Sequence, residues 1–274
     1  MGNAFRLNVG YYFDLFSDRI EDWEKEAHFN KSLNPAFLEV MLEFPPSNQS
    51  FSAALQQKLL AAVDGVPLKA HAPTLNLSLV APNPAISHAS IQEHLHALVV
   101  AKGLGAPFLT IHGGEYPFFS PSQETIHPTT LFIQNIKPVL ERADLLGVEL
   151  CLENLKGGNI FPKTFDELDF VFERYPSLAM ALDVRHFVVE GFDPNEAMLR
   201  YFSRIRSIHY RVDNGLSDEE MLVFIRTLRE LNYQGCFIIE DRTLNTMDKD
   251  NKELLHAGRA KIGRLVDALQ EGLQ

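Results

Sequence analysis

The chain has 274 residues, 46% hydrophobic and 22% charged, a composition ordinary for a globular protein whose core is large enough to need no disulfide or structural metal. Its formal net charge of −11, with no Lys/Arg cluster beyond isolated pairs, disfavours nucleic acid as a partner and points to a small-molecule substrate. No apolar run approaches the ~18 residues needed to cross a membrane, and MGNAFRLNVGYYFDLF lacks both a secretory signal and, with Arg6 in sixth place, a myristoylation motif.

In chain order, eight short segments rich in β-branched and aromatic residues read as strands. They are Leu7–Tyr12, Phe37–Phe44, Leu68–Thr74, Phe108–His112, Val148–Asn154, Ala179–Val184, Ile205–Arg211 and Cys236–Asp241. Their centres recur every ~25–40 residues, the spacing of βα units feeding a parallel sheet. Helical patterns lie between them. Leu55, Leu59 and Ala62 share one face, as do Ile91, Leu95, Leu98 and Val99. Thr164 with Glu167, and Ser217 with Glu220, are spaced as capping boxes, and Asp193-Pro194 reads as an N-cap with proline at the first helical position. Gly65, Gly103, Gly147 and Gly235 are expected to end helices, and Pro138 to kink or interrupt the fourth. Cys151 and Cys236, each inside an apolar run, are expected to be free buried thiols, in keeping with a cytoplasmic protein.

Eight such units without a linker predict one α/β domain over residues 1–274, closed as a (β/α)8 TIM barrel. The competing architecture, an open doubly wound sheet, lacks its glycine-rich phosphate loop after the first strand, where VGYYFD stands.

In a barrel, residues at the C-terminal ends of the strands share one mouth. There stand Glu43, His71, His112, Glu153, Asp183 with His186, His209 and Glu240. Buried carboxylates brought together repel one another unless protons or cations intervene, and a bound cation satisfies carboxylates and imidazoles at once. The set His71, His112, Glu153, Asp183, His209 and Glu240 therefore reads as a divalent metal site. Glu43 has a second reading, as an ion-pair partner of Arg6 or Lys69. His28, His88, His94, His96, His127 and His256 fall in helical or loop stretches and are expected at the surface.

The ordered motifs HAP, IHGG, ENL, LDVRH, IHYRVDNG and IIED resemble the xylose-isomerase-like TIM-barrel superfamily. That group includes sugar isomerases, ketose 3-epimerases and apurinic-site endonucleases. The resemblance implies one Mn, Co or Mg ion held by Glu153, Asp183, His209 and Glu240, with Glu153 and Glu240 also serving as the catalytic acid/base pair. Its endonuclease-like members imply a further zinc on His71 and His112, with Glu153 bridging, and a third metal using His186. The Asp-x-His element that the third metal needs is missing from RVDNGLSDEEM, so one or two metals (Mn, Zn, Co or Mg) are expected. Asp213 also stands four residues after His209 where the group has an acidic residue three after, a difference that a bulge would absorb.

These features predict a metal-dependent isomerase or epimerase acting on a sugar, sugar phosphate or related carbonyl compound through an enediolate. His186 and Arg211 are candidates to hold substrate hydroxyls, and Lys156, Arg185 and Arg242 to hold a phosphate or carboxylate. A metal-dependent phosphoesterase, including an apurinic-site endonuclease, is the alternative, followed by a non-catalytic metal- or carbohydrate-binding barrel. Whether the chain forms a homo-oligomer is left open by the sequence.

Overall fold

In a computed structural model, residues 5–14, 20–43, 51–116, 127–240 and 249–271 are described. The chain begins with β1 (Asn8–Asp14), α1 (Ile20–Ser32), β2 (Leu38–Met41), α2 (Ala53–Val63), β3 (Leu68–His71), α3 (Pro84–Gly103) and β4 (Phe108–Ile111). It continues through the short β5 (Gly114–Glu115), α4 (Pro128–Leu146), β6 (Glu149–Glu153), the short β7 (Ile160–Phe161), α5 (Phe165–Arg174) and β8 (Ala179–Asp183). It ends with α6 (Val184–Val189), α7 (Pro194–Tyr201), β9 (Ile205–Tyr210), α8 (Asp218–Glu230), β10 (Cys236–Ile239) and α9 (Lys249–Glu271).

Parallel pairing runs β1-β2-β3-β4-β6-β8-β9-β10 and closes when β10 pairs with β1, Asn8 opposite Cys236 through Tyr11 opposite Ile239. This is a (β/α)8 barrel, as the spacing of strand-like segments predicts. Side chains two apart on a strand share a face. Leu150, Leu152, Met180, Leu182, Ile208 and Tyr210 join the large cluster that also contains the helices' apolar faces. The alternate residues Cys151, Ala179 and Ala181, with Phe108 and half-buried Cys236, form a separate small cluster that floors the barrel interior. Both cysteines are free. The second sheet, β5 against β7, lies beside the mouth.

The helix ends follow the expected chemistry with exceptions. Both capping boxes form, Asp193 caps α7 from its side chain, and Gly147 takes the left-handed turn after α4. Gly235 does not end a helix, because α8 stops at Glu230 and Asn232 takes the positive φ of 52°. Gly103 is the last residue of α3, and the left-handed position falls two later at Gly105. At the end of α2 it is Asp64 that caps. Pro138 does not interrupt α4, which runs unbroken from Pro128 to Leu146. The N–H it lacks would have bonded the carbonyl of Gln134, an exposed position open to solvent. Val99 is 44% exposed, whereas Ser90, His94, Ala97, Leu98 and Ala101 make the buried face of α3. His94 is therefore in the interior, contrary to the surface position expected of it.

None of the helices among the described residues is long and apolar enough to cross a membrane.

Candidate metal and catalytic site at the barrel mouth

Period-two alternation puts Glu153 on the same face as Cys151, Asp183 on that of Ala181, and His209 on that of Ser207. As β6, β8 and β9 leave the apolar floor, they therefore bring charged groups to one point. Glu153 is the centre. Its Oε2 lies 3.2 Å from His71 Nε2, 3.1 Å from His112 Nε2 and 3.4 Å from His209 Nδ1, while Oε1 lies 3.3 Å from His186 Nδ1. Glu240 Oε1 approaches His209 Nδ1 to 2.9 Å. Glu153, Asp183, His71 and His209 are all buried.

The opposite sides of these groups are fixed by the fold. His71 donates from Nδ1 to the Ala72 carbonyl at 2.8 Å, which leaves Nε2 facing Glu153. His112 is positioned by the glycines that follow it. A Cβ on Gly113 would meet the Phe161 carbonyl at 2.4 Å, and Gly114, at φ 106°, packs its backbone on Ser78. Asn154 clamps the strand ends: its side chain accepts from the Asp183 N–H at 2.8 Å and donates to the Asp183 carbonyl at 2.9 Å. His186 donates from Nδ1 to the Asn154 carbonyl at 2.8 Å, and its own backbone N–H caps onto Asp183 Oδ1 at 2.7 Å.

Sequence reasoning missed Glu39. It sits inside β2, fully buried, with Oε1 accepting from Thr110 Oγ1 at 3.0 Å and Oε2 3.3 Å from His209 Nε2. His209 thus lies between Glu39 on one side and Glu153 with Glu240 on the other. The available signal was a lone acid in the apolar strand LEVM; attention to strand ends alone passes over it.

The electrostatics follow from this crowding. Burial disfavours charge on His209, but Glu240, Glu39 and Glu153 outweigh it and hold its pKa well above the ordinary value. Burial likewise opposes the charge on Glu153, yet His112 and His209 keep its pKa well below the usual carboxylate range. His186 is driven up to about 9, because Asp183 and Glu153 overcome the effect of burial. Asp183 is raised to about 6 by burial, with the negative charges of Glu153 and Glu240 adding to it. His112 is lowered by burial, and His71 raised by Glu153 and Glu39 against burial.

The donor set fits a divalent cation. Among the described residues three groups bring one ligand atom per residue within 4.8 Å of one another: His71 with His112 and Glu153, Glu39 with His209 and Glu240, and Glu153 with Asp183 and His186. Both ring nitrogens of His209 and Oε2 of Glu39 are buried without a hydrogen bond, despite their short distances to carboxylate oxygens. Lone pairs crowded in this way need a proton or a cation between them. Oxygen and imidazole donors suit Mn, Zn, Co or Mg. Beside His112 a cleft of 620 Å³ opens, lined among others by Thr74, Leu75, Ser78, Ile86 and Ile160.

A model of the xylose isomerase-like TIM barrel matches residues 36–261. The chain belongs to that family. No curated protein matches it significantly by sequence. Among solved structures, a D-tagatose 3-epimerase-like protein superposes with a TM-score of 0.77 at 17% identity, over 96% of this chain and 100% of its own. An L-ribulose 3-epimerase gives 0.75 at 14% identity, covering 98% and 97%. The 3-keto-D-glucoside 4-epimerase of E. coli gives 0.71 at 14% identity, covering 95% and 99%. At these identities the likeness speaks for the fold.

Within this xylose isomerase-like barrel, the structure brings Glu153, Asp183, His209, Glu240, His71, His112 and His186 together at the mouth. Glu43 does not pair with Arg6 or Lys69. Its Oε2 accepts from the backbone N–H groups of Thr74 and Leu75, at 2.5 and 2.9 Å, and from Thr74 Oγ1, and so ties down the loop after β3. Lys69 instead lies over the rings of Phe37 and Phe108. The register irregularity of β9 falls upstream of His209, where Met180 faces Ile205 and Ala181 faces Ser207, and β9 ends at Tyr210, before Asp213. Asp213 pairs instead with Arg185 and Arg211. Arg242 lies outside the described residues.

Proposed function

We propose that this xylose isomerase-like barrel is a metal-dependent sugar epimerase or isomerase. The observation that carries the reading is the pair of carboxylates, Glu153 and Glu240, converging on His209 Nδ1 at 3.4 and 2.9 Å, beside Asp183. Glu153, Asp183, His209 and Glu240 would hold the cation, and His71 and His112 with Glu153 would hold a second. A divalent cation bound there supplies positive charge beside a substrate carbonyl and its adjacent hydroxyl, stabilising the enediolate that forms when the intervening carbon loses its proton. Glu153, kept ionised by its histidines, removes that proton. Glu240, only 16% exposed, returns one from its own position. His186 keeps its Nδ1 on the Asn154 carbonyl, so its Nε2 is the nitrogen that can meet a substrate hydroxyl. The names of the superposed epimerases support the same reaction class.

The test is solvent deuterium incorporation into the carbon next to the carbonyl, across a panel of ketoses, with protein loaded separately with Mn, Co, Mg and Zn. Incorporation that chelator abolishes and metal restores is expected. No incorporation with any metal or ketose would sink the reading. One observation favours a phosphoesterase as second reading: His71 and His112 both reach the same Glu153 oxygen, so these three residues would hold a second cation beside the one at Glu240 and His209, and paired cations would activate water for hydrolysis.

A further inference from the structure

Beyond the carboxylates a second group of side chains follows the ends of the same three neighbouring strands. Lys156 follows Glu153 by three residues at the end of β6, Arg185 follows Asp183 by two after β8, and Arg211 follows His209 by two after β9. Because β6 pairs with β8 and β8 with β9, the three cations occupy one arc of the rim. In a chain of net charge −11 such a grouping needs a reason.

Pairing within the protein does not supply one. Arg185 Nη2 lies 3.3 Å from Asp213 Oδ2 and Arg211 Nε lies 3.4 Å from Asp213 Oδ1, so a single carboxylate, itself 61% exposed, serves two arginines. Arg211 Nε is buried and has no hydrogen bond. Among the described residues Lys156 has neither a hydrogen bond nor an ion pair. Glu190, at the end of α6, is turned onto the Gly157 N–H. Neither arginine pairs with Glu153 or Asp183, whose partners are the site histidines. The two arginines thus share one contacting carboxylate, and Lys156 feels Asp183 and Asp213 without pairing with either. Burial, and after it the proximity of Arg185 and Arg211, lower the Lys156 pKa against the opposing pull of Asp183 and Asp213.

We propose that Lys156, Arg185 and Arg211 form a subsite for the anionic end of the substrate, so that the enzyme acts on a ketose carrying a phosphate or a carboxylate. Arg211 lies two residues past His209, about 7 Å along an extended strand, a separation that a pentose or hexose chain spans between its carbonyl end and its far end. Guanidinium groups supply paired donors to phosphate or carboxylate oxygens, and the lysine adds a mobile point charge. The sugar part of this inference rests on the epimerase reading; the anion subsite does not.

The experiment is calorimetric titration of metal-loaded protein with matched pairs: D-xylulose against D-xylulose 5-phosphate, and D-tagatose against D-tagaturonate. One anionic member is expected to bind at least about tenfold tighter than its neutral twin, equivalent to ~1.4 kcal/mol, with the advantage shrinking as NaCl is raised. A phosphate preference and a carboxylate preference both support the subsite and identify its ligand. Lys156→Gln and Arg185→Gln should each reduce the advantage at least threefold, with metal content and circular dichroism unchanged. Equal binding of neutral and anionic twins, or a preference that survives both substitutions together, would overturn the proposal. So would a duplex with an abasic-site analogue that binds more tightly than either anionic sugar. Retained anion preference without deuterium incorporation would break the epimerase reading and leave the subsite standing.

Discussion

Cys151 and Glu153 share one face of β6, two residues apart, yet they belong to different physical worlds. The thiol sits with Phe108, Ala179 and Ala181 in the small apolar cluster that floors the barrel, and burial drives its pKa far up. The carboxylate is as buried as the thiol, but four histidine nitrogens surround it and hold its pKa far down. β8 repeats the change from Ala181 to Asp183, and β9 from Ser207 to His209. One step of the pleat separates a packed floor from a charged site. A (β/α)8 barrel can afford this because its helices bury the strands' other faces, leaving the interior residues of the upper layer free to serve chemistry.

The largest way to test that division is Glu153→Gln. The amide keeps the shape but removes the charge that faces His71, His112 and His209. Turnover should fall at least about 10³-fold, and bound metal should be lost, while the far-ultraviolet circular dichroism stays that of the parent. Retained metal with full activity would show that the carboxylate is no part of the site.

Buried histidines sharpen the contrast next. The site histidines His209 and His186 have raised pKa values because carboxylates face them. His94, on the inner face of α3, pairs with no carboxylate among the described residues; it donates from Nδ1 to the Ser90 carbonyl at 2.7 Å, and burial drops its pKa to about 4. A base whose folded pKa lies below its unfolded value of 6.5 adds stability above pH 6.5 and loses it as pH falls toward 4. That loss amounts to roughly 3 kcal/mol. Urea unfolding of the wild type and His94→Leu at neutral pH and near pH 4 should show the gap between them shifting toward the variant by about that amount. A gap independent of pH would mean that His94 is not held neutral.

Much of this was legible beforehand, for reasons that particular residues make plain. Apolar strands ending in Glu153, Asp183, His209 and Glu240 are conspicuous because an ionisable group gains nothing at a buried strand end without a partner. The burial of His94 was also encoded, since Ser90, His94, Ala97 and Ala101 recur at helical spacing, but a polar residue type hides such a face from a search for apolar ones. Where Glu43 points was not legible: its partners are the Thr74 and Leu75 N–H groups, set by a loop conformation that pattern and composition do not specify. The same holds for Asp213, whose place beside Arg185 and Arg211 depends on the turn after β9.

Glu39 tests where the boundary between floor and site lies. It is one pleat deeper on β2 than Met41, whose register partner is His71, so the charged layer dips below the strand ends on this side of the barrel. Among the described residues its close polar contacts are Thr110 Oγ1 and His209 Nε2. A carboxylate set 3.3 Å from one ring nitrogen favours a proton there, and so biases the tautomer and raises the basicity of the other nitrogen, here the Nδ1 that faces Glu240 and Glu153. Glu39→Gln should therefore weaken metal binding about 10- to 100-fold, or ~1.4–2.8 kcal/mol, less than the loss of Glu153 itself. Chelator competition measures the affinity, and ¹⁵N chemical shifts of His209 in the metal-free protein report the tautomer without recourse to activity. If affinity stays within threefold and the His209 shifts do not move, Glu39 belongs to the floor as a buried, hydrogen-bonded acid. If both change, the site extends through His209 to β2, and the barrel holds its metal with a layer of residues that lies beneath the mouth.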